Sequence, residues 1–196
     1  MQFYNENAKS YAESTFHEDF AKAIYEGMKD FLNLNCLNAP ILDIGCGSGR
    51  DAKFLTSLGY KIHAFDQSPE MIEEAKRLTG MLDTFKVGAA HDFETDDSYF
   101  FAYSIACLLH LNDEEFETAI NHIFKHLTFG GNFFFTVKKG VGEEVDAAGR
   151  YFNYYTEEKL QEVFERLGYH LIDVTEYPDL TRPDTTWLYV LAQKPL

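Results

Sequence analysis

Three glycines at alternate positions, Gly45, Gly47 and Gly49, follow directly on the apolar run Ile41-Leu42-Asp43-Ile44, and a helical pattern begins straight after them. Nineteen residues beyond Gly47, a second apolar run, Tyr60-Lys61-Ile62-His63-Ala64-Phe65, ends on Asp66. A strand, a glycine turn, a helix and a second strand tipped by an acid form a half-site for a ribose-bearing cofactor. The glycine spacing helps to decide which one. A dinucleotide turn carries its third glycine five residues after the first, so that helix and strand pack closely beside the pyrophosphate. Here Gly49 comes one residue too early and position 50 is Arg. An NAD-dependent oxidoreductase is therefore disfavoured.

The elements that would position these residues read as an alternation of strands and helices. Spacings of three and four between Phe16, Phe20, Ile24, Met28 and Phe31 predict helix over 7–33. Pro40 stops any helix, and 41–44 is a short buried strand. Residues 48–58 read as a helix closed by Gly59, and 61–65 as the second strand. Ser68-Pro69-Glu70 starts a further helix, with Ser as N-cap, Pro in the first turn and an acid at the positive end of the dipole. Residues 82–87 and the almost wholly apolar 99–107 are the third and fourth strands. Asn112-Asp113-Glu114-Glu115 opens a helix in capping-box style, and Gly130-Gly131 leads into a fifth strand over 132–138. Residues 139–155 read as a loop, 156–167 as a helix, and 169–175 with 187–192 as an antiparallel pair. The fold class is α/β, Rossmann-like and doubly wound, with a mainly parallel seven-stranded sheet, an antiparallel last strand and helices on both faces. In such sheets ligands sit at the carboxyl ends of the strands, where Gly45, Asp66 and His110 fall.

Bulk properties narrow the partners. The chain has 196 residues, 45% of them hydrophobic, which suits one packed domain over 1–196. Within it, 1–35 reads as an N-terminal helical lid segment and 36–196 as the core. The 32 Asp and Glu against 17 Lys and Arg leave a net charge of −15, which repels phosphate backbones and anionic lipid. Nucleic acid and membrane are poor partners on this count, and a small molecule is favoured. No basic-then-apolar leader is evident, and the apolar run 99–111 is too short to span a bilayer. The three cysteines, Cys36, Cys46 and Cys107, are scattered and form no CxxC pair, so reduced thiols, a cytoplasmic location and no metal site are expected. A monomer or homodimer is consistent with this.

Leu42-Asp43-Ile44-Gly45-Cys46-Gly47-Ser48-Gly49, Phe65-Asp66-Gln67-Ser68-Pro69-Glu70-Met71, Leu108-Leu109-His110 and Gly130-Gly131-Asn132-Phe133 together resemble the class I S-adenosylmethionine-dependent methyltransferases. The late run Gly149-Arg150-Tyr151-Phe152-Asn153-Tyr154-Tyr155-Thr156, with Arg182-Pro183 and Trp187-Leu188-Tyr189-Val190-Leu191-Ala192, is similar to small stand-alone members, some labelled tellurite-resistance-like. The resemblance implies S-adenosylmethionine as cofactor and S-adenosylhomocysteine as product. Gly45, Gly47 and Gly49 would let the backbone approach the methionine part. Asp43 would balance its ammonium group, Asp66 would accept from both ribose hydroxyls, and Gln67 and Met71 would flank the adenine. Relatives often carry an acid after strand three, where this chain has Val87-Gly88-Ala89-Ala90-His91-Asp92-Phe93. Asp92 is the substitute there, or His91 and its neighbours through their backbone. The Asp common at the start of strand four is replaced by Phe100.

A sulfonium methyl is already electrophilic, so the protein mainly positions the nucleophile, and a base is needed only for a protonated acceptor. His110 is the catalytic candidate, with a helix-capping role as the alternative. Tyr4 and Tyr11 would cover the pocket as part of the lid, and their ring faces suit a cation. Lys138, Arg150 and Arg182 would recognise an anionic acceptor or else pair with Glu143, Glu144 or Asp184. Tyr151, Tyr155 and Trp187 would line the acceptor pocket or the core. Cys46 reads as packing, since nothing nearby would lower its pKa. The expected function is transfer of a methyl group to a small-molecule acceptor, with a non-catalytic S-adenosylmethionine sensor as the alternative.

Overall fold

The computed structural model describes residues 2–32, 34–179 and 181–196. Along the chain come α1 (Gln2–Thr15), α2 (Glu18–Met28), α3 (Leu34–Asn38), β1 (Ile41–Ile44), α4 (Arg50–Ser57), β2 (Ile62–Asp66), α5 (Pro69–Thr79) and β3 (Phe85–Val87). There follow β4 (Tyr99–Ile105), α6 (Asp113–Lys125), β5 (Leu127–Lys138), β6 (Glu143–Val145), β7 (Tyr151–Asn153), α7 (Glu157–Leu167), β8 (His170–Pro178) and β9 (Thr186–Gln193). Seven strands form one sheet in the order β3-β2-β1-β4-β5-β9-β8, as the α/β reading requires. Its strands β1 to β5 are parallel, and β9 runs antiparallel to both β5 and β8.

The strand order is what makes a site. From β1 the chain builds outward through β2 to β3, then returns to place β4 on the other side of β1. The loops leaving β1 and β4 therefore diverge and open a crevice at the carboxyl edge. Both faces of the sheet are covered, and β5 shows how. Phe133 and Phe135 stack with ring centroids 5.1 Å apart and pack among Phe116, Phe124 and Phe164 of α6 and α7. Phe134, between them, turns to the opposite face and joins Ile24, Met28 and Leu55 of α2 and α4. That two-residue period, apolar on both sides, is the signature of a helix-covered central strand. Burying each ring contributes roughly 2–3 kcal/mol.

Local chemistry sets the helix ends. Ser68 Oγ accepts from the Met71 N–H at 3.1 Å ahead of Pro69, and Gly80 closes α5 at φ 75°. Asn112 and Glu115 form the reciprocal capping box of α6, with bonds of 2.9 and 3.0 Å.

Several boundaries differ from those read in the sequence. The helix expected over 7–33 breaks at residues 16–17 into α1 and α2, and position 33 lies outside the described residues. β3 is only Phe85–Val87, because residues 82–84 form a turn. Gly130-Gly131 does not precede the fifth strand but lies within β5, where the pairing with β4 slips between Tyr99 and Phe101. Gly130, at φ 72°, carries that irregularity. The expected loop 139–155 contains the antiparallel hairpin of β6 and β7. The acidic edge of β6, Glu143-Glu144, hid its strand character, since charged residues are poor strand signals. Among the described residues, no helix is long and apolar enough to cross a membrane.

Candidate active site

The turn after β1 is built on left-handed glycines. Gly45 has φ 74°, and a Cβ there would sit 2.2 Å from Cys107 Sγ on the loop leaving β4. Only glycine lets the two loops meet so closely. Gly47, at φ 51°, differs: a Cβ would meet nothing nearer than Met71 Cε at 3.8 Å, because it would project into a cavity. Gly49 does not line that cavity. It caps α4 and packs on the Phe85 ring, which a Cβ would approach to 2.7 Å.

Asp66 ties this turn to the second strand. Its Oδ2 accepts from the Gly47 N–H and its Oδ1 from the Ser68 N–H, each at 2.9 Å. Burial pushes its carboxyl up, and the two N–H donors act against that shift. Each oxygen keeps a further lone pair, so the carboxylate can accept two more hydrogen bonds from the cavity it lines.

The cavity, about 160 Å³, lies between the ends of β1, β2 and β4. Of the residues expected at a cofactor, Gly45, Gly47, Asp66, Gln67 and Met71 line it. Asp43 does not. It lies beneath the turn, 2% exposed, and accepts the Tyr103 hydroxyl at 2.8 Å. Burial, with Asp51 nearby, holds its carboxyl well above the usual range. Asp92 also turns away, accepting the Ala89 N–H at 3.0 Å, and the wall there is formed by residues 88–91.

Sequence reasoning missed Asp51 and the role of Arg50. Both line the cavity, joined by bonds from Nε to Oδ1 (3.1 Å) and Nη2 to Oδ2 (2.8 Å). Arg50 Nη1 also donates to the Thr15 carbonyl of α1 at 3.2 Å. Their place in the first helical turn after the glycines was a usable signal. Ala106, at φ 52°, was not foreseeable: a non-glycine in this region is uncommon. Its N–H is held by Thr136 Oγ1 at 2.9 Å, and it too lines the cavity.

A second cleft of about 580 Å³ adjoins the first and shares Tyr4, Gln67 and His110 with it. His110 sits in a 3₁₀ turn (Leu108–His110) just past β4, at this shared wall. Its Nδ1 lies 2.7 Å from the Tyr151 carbonyl, and its Nε2 lies 2.7 Å from the Tyr4 hydroxyl. A carbonyl only accepts, so Nδ1 carries the hydrogen and Nε2 accepts from Tyr4. Burial lowers the His110 pKa, which keeps the ring neutral near pH 7. Tyr4 is pushed the other way, chiefly by burial and then by Tyr11, whose ring centroid lies 5.1 Å from its own. α1, which carries both tyrosines, packs on α5 through Ala8, Ala12 and Met71.

The residues expected at an acceptor separate. Tyr11 lines the first cavity and Arg150 the second cleft. Arg150 is paired with Asp146, Nε to Oδ2 at 2.8 Å and Nη2 to Oδ2 at 2.6 Å, a partner the sequence reading did not name. Tyr155 lines neither space: it is fully buried against Phe116 and bonded to Asn153. Arg182 is exposed on the segment before β9 and lines neither. Burial pushes the Cys107 thiol up to about 12 and raises Cys46 as well, so neither is an activated nucleophile.

Comparisons with known proteins agree with this architecture. Residues 41–131, from β1 to the bulge of β5, match the model of a methyltransferase domain. The probable S-adenosyl-L-methionine-dependent methyltransferase TehB of Haemophilus influenzae is 28% identical over 97 residues, covering 46% of this chain and 33% of its own length. The O-methyltransferase resE of Aspergillus sclerotiorum is 27% identical over 158 residues, covering 73% of this chain and 59% of that protein. The chain thus spans between a third and three-fifths of these relatives. Among solved structures, a methyltransferase of Methanosarcina mazei superposes with a TM-score of 0.74 at 22% identity, over 86% of this chain and 97% of that one. The complex of DhpI with SAH gives 0.71 at 23%, over 99% and 94%. At such identities the likeness is one of fold. A matched methyltransferase domain over residues 41–131, on a sheet that reverses its order at β1 and closes with β9 antiparallel, supports the resemblance to the class I S-adenosylmethionine-dependent methyltransferases.

Proposed function

We propose that the protein transfers the methyl group of S-adenosylmethionine to a small-molecule acceptor. The observation that carries this reading is the cradle at the turn after β1: open space where Gly47 lacks a Cβ, facing a carboxylate with lone pairs to spare. When bound, S-adenosylmethionine supplies an electrophilic methyl group on a positively charged sulfur.

The chain's own residues would do the rest. Asp66 would accept the ribose hydroxyls, and the backbone of residues 45–47 would face the methionine part. Asp51 and Asp66 each lie close enough to Asp43 to disfavour its ionised form, and Asp51 is itself paired with Arg50. The rings of Tyr4 and Tyr11 add aromatic faces on the α1 side. His110 Nε2 faces the wall shared by the two spaces. There it would take the proton of an acceptor seated in the second cleft, once the Tyr4 hydroxyl yields its place. Nε2 would hold the proton that the acceptor gives up as it takes the methyl group. Holding the partners in line would contribute much of the rate.

A small acceptor is supported by the size of the second cleft, about 580 Å³, and by the net charge of −15. Titration calorimetry with S-adenosylhomocysteine, followed by an acceptor screen reading out its release from S-adenosylmethionine, tests the proposal. Saturable binding and turnover with a small acceptor are expected. No binding of either compound would end the reading, and binding without turnover by any acceptor would make the protein a sensor.

A further inference from the structure

Three basic groups gather around one aromatic ring beside the second cleft. Phe152, on β7, is 7% exposed. The His110 ring lies 4.8 Å from its centroid, Arg150 Cζ 5.4 Å and Lys138 Nζ 3.8 Å. Lys138 is the last residue of β5, at the same carboxyl edge as the glycine turn, and is only 9% exposed.

The neighbours of the two cations, Arg150 and Lys138, are engaged unequally. Arg150 is paired with Asp146 but still repels Lys138. The two carboxylates that attract Lys138, Glu144 and Asp179, are already in use. Glu144 accepts the Tyr154 hydroxyl at 2.6 Å. Asp179 accepts the indole N–H of Trp187 at 2.8 Å and the backbone N–H groups of Thr181 and Arg182. Among the described residues, the Lys138 ammonium donates no hydrogen bond and makes no ion pair, although the Phe152 face supports its charge. Arg182, close enough to repel it, has a guanidinium equally without an acceptor there.

A lysine whose stem is buried, whose ammonium rests on an aromatic face with no protein hydrogen-bond acceptor, and which lies close to two guanidinium groups is placed to receive an anion. Glu144 and Asp179 attract it from a distance, but a charge-assisted hydrogen bond to an anion in direct contact is stronger than either. An oxyanion seated on Lys138 would fill its donors and relieve its repulsion by Arg150 and Arg182. We propose that Lys138 anchors an oxyanion subsite, closed by Arg182 from the exposed segment, and that the methyl acceptor carries a carboxylate or phosphate group which docks there. The proposal rests on the methyltransferase reading for the word acceptor, but the subsite itself does not. His110, which also packs on Phe152, would then face the part of the acceptor that receives the methyl group.

The test titrates inorganic phosphate, and separately acetate, into the protein saturated with S-adenosylhomocysteine, following heat and thermal stabilisation. Saturable binding of at least one anion is expected, weakened ~10-fold or more in Lys138→Met by loss of a charged hydrogen-bonding partner. Lys138→Arg should retain it, and Arg182→Gln should weaken it several-fold. S-adenosylhomocysteine affinity should stay within about twofold of the wild type in all three, since none of these residues lines the first cavity. The stronger of the two anions identifies the acceptor's group. Equal anion binding by wild type and Lys138→Met, or none by the wild type, overturns the proposal. If Lys138→Met does not fold, Arg182→Gln gives the same readout from an exposed position. If the protein binds no S-adenosylhomocysteine, the methyltransferase reading fails, while the anion titration of the unliganded protein still decides the subsite.

Discussion

Asp66→Asn separates a structural strut from a ligand-binding group. The side chain keeps its shape, but one of its two acceptor oxygens becomes an NH₂ donor. In the wild type those oxygens hold the N–H groups of Gly47 and Ser68, each at 2.9 Å. The amide oxygen can satisfy one of them, which leaves the other N–H facing a donor. Losing a charged hydrogen bond costs about 1.5–3 kcal/mol. The relief of burying an amide in place of a desolvated carboxylate offsets part of that, so the unliganded protein should lose about 1–2 kcal/mol. Binding should suffer separately. One of the two ribose hydroxyls would lose its acceptor and the other would keep a neutral one. The expected loss is about 2–3 kcal/mol, or roughly 30- to 150-fold in affinity. Urea denaturation measures the first quantity and titration calorimetry with S-adenosylhomocysteine the second. Because burial raises the Asp66 pKa, wild-type affinity should fall as pH drops through a value above the ordinary carboxylate range, as the ionised acceptor is lost. Folding stability moves the other way at this group, improving as it protonates, and the variant should show neither dependence. Affinity within about twofold of the wild type, alongside a measurable loss of stability, would leave Asp66 a strut and refute its role at the ribose.

Other perturbations probe other links. His110→Ala should leave S-adenosylhomocysteine affinity within about threefold but lower turnover of a protonated acceptor by ~10²–10⁴, the range for a lost general base. The wild-type rate should decline as pH falls through a value below the ordinary histidine range, where the lowered pKa finally lets Nε2 protonate. Turnover unaffected by the substitution would remove His110 from the chemistry. Tyr4→Phe deletes the donor to Nε2, so exchange protection of the amides in α1 should fall by roughly 0.5–1.5 kcal/mol; unchanged protection would show that the α1–α5 packing alone holds the helix. Phe134→Ala empties a fully enclosed place between β5 and α2 and should cost ~3–5 kcal/mol in urea denaturation. A loss below about 1 kcal/mol would contradict the packing described for that face.

Legibility in the sequence followed the range of the physics involved. The glycine turn, the acid at the end of β2 and the capped starts of α5 and α6 depend on neighbours within a few residues. All of them stand where the pattern put them. Tyr4 and His110 are 106 residues apart, and their contact needs the whole sheet to be laid out first. The same holds for Asp43. In sequence it stands two residues before Gly45, but a strand alternates its faces, and the one Asp43 occupies leads under the turn to Tyr103. Short, charged strands such as β6 escaped notice because their pairing is set by the hairpin and not by burial.

The three cations of the late segment show most clearly what a pattern lacks. Lys138, Arg150 and Arg182 looked equivalent in sequence, each a basic residue in an acidic chain, each with acids a few positions away. Position along the chain does not tell which acid is free. Folding spends Asp146 on Arg150, Asp179 on a tryptophan and its own turn, and Glu144 on a tyrosine. What remains is a lysine whose stem the fold buries and whose ammonium rests on the Phe152 face with no hydrogen-bonding partner among the described residues. The chain is acidic, yet among the described residues no carboxylate reaches hydrogen-bonding distance of that ammonium, and Glu144 and Asp179 attract it only from farther away. The direct contact left open there is the one that the proposed oxyanion of the acceptor would make.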